Sequence, residues 1–129
     1  MRRTEEAKMS GKTRYVFTAA MDVTPEKEKL FNEVYETEHI PLLLKVPGVI
    51  SVTRYVTEPF EMVIGGETRH VSNANEPKYA AVYEIEGPDV LKSAAWADAV
   101  DQGRWPTEVR PYTSNRRHTL QMVVDPTNS

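Results

Sequence analysis

Four stretches in which apolar residues alternate with polar or small ones divide this chain, and what lies between them limits the folds it can reach. Arg14 to Ala20, Val49 to Val56, Lys78 to Glu86 and Arg116 to Val124 carry the pattern. A period of two sends successive side chains to opposite faces, so each run predicts a strand with one face toward a core. The third is the clearest: Tyr79, Ala81, Tyr83 and Ile85 alternate with Ala80, Val82, Glu84 and Glu86.

Helical signals fill the first and last gaps. Thr24 is a capping residue, Pro25 suits a first helical position, and Glu26 and Glu28 favour the positive end of the helix dipole. Leu30, Phe31 and Val34 form the apolar stripe, while Phe31, Tyr35 and His39 recur at intervals of four, which lets Tyr35 and His39 touch. Pro41 disfavours helical geometry at Ile40, which predicts His39 in the last turn; Leu42 to Leu44 then gives a further short turn, stopped by Pro47-Gly48. Gly87-Pro88-Asp89 opens a second helix from Val90 to about Asp101 that ends at Gly103, with Ala94, Ala95, Ala97 and Ala99 available for close packing.

In the middle gap, Gly65-Gly66 lies between Met62-Val63-Ile64 and Thr68 to Val71, and adjacent glycines supply the positive φ angles of a two-residue hairpin turn. Residues 57–77 read as an inserted β-excursion, and Trp105 to Asn115 as a connection without helical period. The order strand, helix, strand, hairpin, strand, helix, strand predicts an α+β fold, a ferredoxin-like βαββαβ sandwich with an inserted β-hairpin. Two helices cover one face of a four-stranded sheet. With Arg54, Glu84, Arg117, Thr119 and Gln121 on the strands, the second face needs a cover, and a monomer exposing Tyr79 and Tyr83 would show an unusual apolar patch.

One domain is expected over 13–124, with polar tails at 1–12 and 125–129. A formal charge of -3 leaves no electrostatic footprint for nucleic acid. The chain has no cysteine, which removes disulfides, thiolate nucleophiles and cysteine-ligated metals. Neither a signal peptide nor an apolar run long enough to span a membrane is visible, and a cytoplasmic location is the default. Glycine-rich phosphate loops and nucleophile elbows are absent, so neither a nucleotide cofactor nor serine-triad chemistry is expected.

The phrase Tyr35-Glu36-Thr37-Glu38-His39-Ile40-Pro41-Leu42, followed by Val46-Pro47-Gly48-Val49 and a strand carrying Arg54-Tyr55, resembles the EthD-like family of the dimeric α+β barrel superfamily. The resemblance extends to Pro77 to Leu91 and covers most of 13–124. It implies a homodimer, the two sheets face to face as a dimeric α+β barrel, and a cleft between each sheet and its helices or loops. His39 matches the histidine that the family places in that cleft, and Tyr35 the aromatic beside it. Related barrels include monooxygenases, decarboxylases, dehydratases, cyclases and proteins without an assigned reaction. The insertion at 57–77 and the connection at Trp105 to Asn115 depart from a plain barrel.

Among the candidate residues His39 stands first, as a group titrating near neutrality beside Tyr35, suited to acid/base or anion-binding work. Helix-end carbonyls with Glu36 and Glu38 would favour its protonated form and burial would oppose it, so depth decides the sign. His70 in the hairpin and His118 on the last strand read as ordinary surface or edge residues, and the three histidines match no compact metal-ligand spacing. Arg54 could pair with a substrate oxyanion or, as the favoured reading, with Glu84 on a neighbouring strand. Tyr83 and Trp105 belong to the aromatic set that suits a small-molecule pocket, Trp105 at its mouth.

Three functional readings follow. The first is a small cofactor-free enzyme, of oxygenase, dehydratase or cyclase type, acting on an aromatic or polyketide-like molecule, with His39 moving the proton, Tyr35 orienting it and Arg54 stabilising an oxyanion. The second is a non-catalytic dimeric ligand-binding or stress-related accessory protein using the same cleft. The third is an assembly module acting through its hairpin.

Overall fold

The computed structural model describes residues 14–124; the tails expected at 1–12 and 125–129 lie outside the described residues. In chain order the strands are β1 (Tyr15–Val23), β2 (Val49–Val56), β3 (Phe60–Ile64), β4 (Glu67–Val71), β5 (Tyr79–Ile85) and β6 (Thr113–Met122). Four form an antiparallel sheet in the order β2-β5-β1-β6, and β3 pairs with β4 as a separate hairpin. Because β1 and β2 both run antiparallel to β5, they are parallel to each other and need a crossover, which the first helix supplies. This is the ferredoxin-like α+β sandwich that the element order predicts.

Register decides which side chains meet the helices. Tyr79, Ala81, Tyr83 and Ile85 of β5 lie opposite Met21, Ala19, Phe17 and Tyr15 of β1, and all four β5 residues are buried. Tyr79 and Tyr83 therefore face the helices, not solvent, which corrects the patch feared for a monomer. The open face carries Val16, Thr18, Ala20, Ala80, Val82 and Glu84, with Arg117, Thr119 and Gln121 of β6 beside them and Tyr55 of β2 55% exposed.

The first helix departs most from expectation. A 3-10 turn at Pro25–Lys27 leads into α1 (Glu28–Val34), a π-helical turn at Tyr35–His39 and then α2 (Ile40–Leu44). His39 (φ -65, ψ -52) and Ile40 (φ -62, ψ -48) stay helical, and the Ile40 N–H bonds to the Tyr35 carbonyl, five residues back. A proline ring inside a regular α-helix clashes with the carbonyl four residues before it. The wider π turn just ahead of Pro41 relieves that conflict, so the helix continues and His39 lies within it instead of at its end.

The predicted second helix is broken at Ser93, whose backbone is extended (φ -70, ψ 153). Ser93 caps α3 (Ala94–Ala99) by accepting the Trp96 N–H on its side-chain oxygen at 3.1 Å, after a 3-10 turn at Pro88–Lys92. Ala94, Ala95 and Ala97 are exposed, and Trp96, Ala99 and Val100 turn inward instead. The connection read as non-helical holds a π-helical turn at Trp105–Val109 and a 3-10 turn at Arg110–Tyr112, each admitting its proline in the first turn.

Phe31, Val34, Leu43, Ile85 and Val109 have no exposed surface and form the centre of the core. Each such side chain contributes about 1.5–3 kcal/mol by leaving water. The hairpin turns at Gly65 (φ 61) and Gly66 (φ 80) as expected, and leaves Phe60, Met62 and Ile64 exposed on one of its faces.

Candidate functional site

His39 is 5% exposed, and among the described residues every other buried side chain of the core is apolar or aromatic. Trp105 stacks on its ring at 4.2 Å between centroids and 20° between planes, and Tyr35 meets it edge-on at 5.0 Å. Its Nδ1 is buried without a hydrogen-bond partner. Burial, and secondarily the Arg110 charge, push the imidazole down from 6.5 to about 4, so it is neutral at pH 7. The depth left open by the sequence is thus settled: burial wins, and no helix end lies nearby to oppose it.

These groups border a cavity of about 360 Å³, at the small end of the range for ligand sites. The sheet contributes Phe17, Ala19, Met21 and Tyr83 as its floor; Tyr35, His39 and Leu43 come from the first helix, and Leu91, Trp96 and Val100 from the second helical region. Trp105 stands opposite. It is buried in the wall and not at the mouth, because its helical turn folds it onto the first helix.

The Tyr35 and Tyr83 hydroxyls lie 3.4 Å apart, each able to donate to the other. Burial raises both phenols, Tyr83 the more strongly because Tyr35 is also beside it. They are therefore neutral donors at physiological pH.

Arg54 does not border this cavity. Its guanidinium donates to Glu36 Oε2 at 2.9 Å and to Asn32 Oδ1 at 2.8 Å, and lies 4.6 Å from the Tyr35 ring centroid. Glu84, its expected partner, is on the opposite face of the sheet, since Arg54 pairs with Ala81 and so shares the face of the helices. Arg54 backs the Tyr35 ring from behind.

His118 shares the inner face of β6, stacks parallel to Phe17 at 5.9 Å and borders the cavity, whereas His70 lies on the hairpin 4.0 Å from Glu61. Arg110 and Arg116 complete the rim. The sequence reading missed both arginines: Arg110 lies inside the stretch without period, and Arg116 opens the last predicted strand, where its parity with His118 was the available signal. Among the described residues no group of three or more His, Cys, Asp or Glu side chains could hold a metal ion.

No family model and no curated protein matches the sequence. The fold is shared with solved structures of low identity. A Bordetella bronchiseptica protein named after the antibiotic biosynthesis monooxygenases matches with a TM-score of 0.55 and 15% identity, over 88% of this chain and 98% of that one. An ethyl tert-butyl ether D (EthD) family protein from Bacillus halodurans matches at 0.50 and 15%, over 86% and 98%. SnoaB, a cofactor-independent oxygenase from Streptomyces nogalater solved as a mutant, matches at 0.50 and 14%, over 90% and 98%. At such identities the likeness shows the ferredoxin-like fold alone. No helix among the described residues is long and apolar enough to cross a membrane.

Proposed function

We propose that this chain is an EthD-like dimeric α+β barrel protein that takes a small aromatic or polyketide-like molecule into the His39 cavity and transforms it by cofactor-free proton transfer. The observation that carries this reading is His39 itself, a buried neutral imidazole stacked on Trp105 beside an aromatic-walled cavity. A neutral imidazole has a lone pair to accept a proton from an acidic C–H or O–H of the ligand. Within the Tyr35–Tyr83 pair, the hydroxyl that accepts from the other keeps its own hydrogen to donate to the oxygen on which charge develops. Trp105 supplies a flat surface for a ring, and Arg54 holds Tyr35 in place.

Homodimerisation belongs to this reading, with the open sheet faces of two copies packed together. Val16, Ala20, Val82 and Tyr55 give that face an apolar centre. Non-catalytic ligand binding is the second reading. It is favoured by the lack of a partner on His39 Nδ1, because a catalytic imidazole is usually oriented through its second nitrogen.

The test is incubation with anthrone and a series of dihydroxynaphthalenes, following binding by calorimetry and turnover by absorbance, for the protein and its His39→Ala variant. Turnover that vanishes in the variant while binding persists supports the enzyme. Binding without turnover in the parent protein supports the second reading, and turnover unchanged in His39→Ala overturns the role of His39.

A further inference from the structure

The charged side chains that border the cavity, Arg110 and Arg116, are both cationic; His118 joins them, and no carboxylate does. This is local, because the chain as a whole is acidic at -3. Arg54, Arg69, Arg104, Arg110 and Arg117 each reach a carboxylate within 4 Å. Arg116 differs. Its Nε and Nη2 donate only to neutral oxygens, Thr113 Oγ1 at 2.9 and 2.8 Å and the Arg110 carbonyl at 3.0 Å, and among the described residues it meets no carboxylate. Those bonds occupy Nε and Nη2 and, among the described residues, leave Nη1 uncommitted and the charge without a carboxylate.

Ordinary alternation along β6 places Arg116 there: Met122, Leu120 and His118 pair with Tyr15, Phe17 and Ala19 on the inner face, and Arg116 is the next residue of that series. Ala20 pairs with Arg117 and Asp22 with Ser114, so Met21 alone faces both Asn115 and Arg116. Asn115 takes a φ of 51° at this bulge, and its amide is held by Asp22 Oδ2 at 3.1 Å and the Asn75 carbonyl at 3.3 Å. The bulge shifts the register of the residues before Asn115 and leaves Arg116 on the same face as His118, bordering the cavity.

We propose that the ligand is a planar aromatic acid whose carboxylate sits at the rim on Arg116, flanked by Arg110 and His118, with its ring directed toward Trp96 and Trp105. This rests on the cavity reading above and names its substrate class. The two hydrogens of Arg116 Nη1 can donate to a carboxylate in a charge-assisted contact, and low-dielectric aromatic walls strengthen the attraction. An anion there also offsets the Arg110 charge that opposes protonation of His39, and so leaves the imidazole a better base when the site is filled than when it is empty.

The test is calorimetric titration at pH 7 with 2-naphthoate, its neutral counterpart 2-naphthamide, and acetate, on the protein and its Arg116→Gln and Arg116→Lys variants. The acid is expected to bind about tenfold more tightly than the amide, a single charge-assisted contact being of that order, and acetate to bind far more weakly than either. Arg116→Gln should bring the ratio of acid to amide near one, and Arg116→Lys should keep part of it. Amide and acid binding alike overturns the acid preference and leaves the cavity reading standing. A preference that survives Arg116→Gln overturns the role of Arg116, acetate binding as well as naphthoate overturns the aromatic requirement, and no binding of any aromatic probe overturns the cavity reading together with this one.

Discussion

Glu38 closes on Arg104 twice, accepting its backbone N–H at 2.9 Å and its Nε at 2.6 Å. The chain neighbours of these two residues are His39 and Trp105, so the clamp sets the stack between them. Arg104 also donates to Glu33 at 3.0 Å, one helical turn earlier, and its hydrogen bonds draw the Glu38 carboxyl below the usual range. Gly103 (φ 70) completes the arrangement, because a Cβ there would come within 2.6 Å of Glu38 Oε1.

Arg104→Ala is expected to cost little stability, as partly exposed ion pairs are worth about 0–1 kcal/mol. Its effect should appear instead as weaker near-ultraviolet circular dichroism from Trp105. Gly103→Ala adds backbone strain and is expected to cost about 1–3 kcal/mol in urea denaturation. An unchanged aromatic signal in Arg104→Ala would mean that packing alone holds the tryptophan.

The buried imidazole makes stability depend on pH. His39 titrates at about 4 in the folded chain against 6.5 as its ordinary value, so between those limits the unfolded state binds more protons. Stability is therefore full above about pH 6.5 and falls as pH drops toward 4, by on the order of 3 kcal/mol from this group. His39→Phe should lose most of that slope, measured as urea denaturation at pH 7 and pH 4.5. Equal slopes in the two proteins would place the acid sensitivity elsewhere.

Tyr35 and Tyr83 are each other's hydroxyl partners in a buried setting. Removing one hydroxyl strands the other, at about 1–3 kcal/mol, whereas removing both leaves nothing unpaired. Tyr35→Phe and Tyr83→Phe are thus expected to be non-additive, the double variant being no less stable than either single one. Additive losses in a double-mutant cycle would show that each hydroxyl is satisfied independently.

Association through the open sheet face makes a further prediction. Tyr55→Asp places a carboxylate among Ala80, Val82 and Thr53 on that face, and light scattering should report a monomer where the parent protein is a dimer. Deleting 60–72 removes the hairpin and tests its part separately. A parent protein that is itself monomeric would remove the barrel assembly from the reading.

Alternation made the sheet legible from sequence: β2 runs over the predicted residues, and β5 within one residue of them at each end. Adjacent glycines did the same for the hairpin. The helices were harder because single residues override the average. Pro41 reads as a terminator until the turn before it is known to widen, and Ser93 reads as one more helical position until its hydroxyl is seen to cap. Of the residues that line the cavity, His39, Tyr35, Tyr83 and Trp105 were legible, because their aromatic character marks them. Arg116 and His118 share one face of the predicted last strand, but alternation alone does not say which face of a strand meets the helices.

The π turn at Tyr35–His39 also sets the phase of everything after it. One added residue advances an α-helix by about 100° around its axis. Were the turn regular, Leu43 would swing from the core toward the flank, and Leu42 or Leu44 would be left to take its place. The same rotation would carry His39 away from Trp105. A helical wheel drawn through 28–44 as a single helix is therefore wrong for its second half, and a one-residue deletion inside the turn would rewrite both the core and the site.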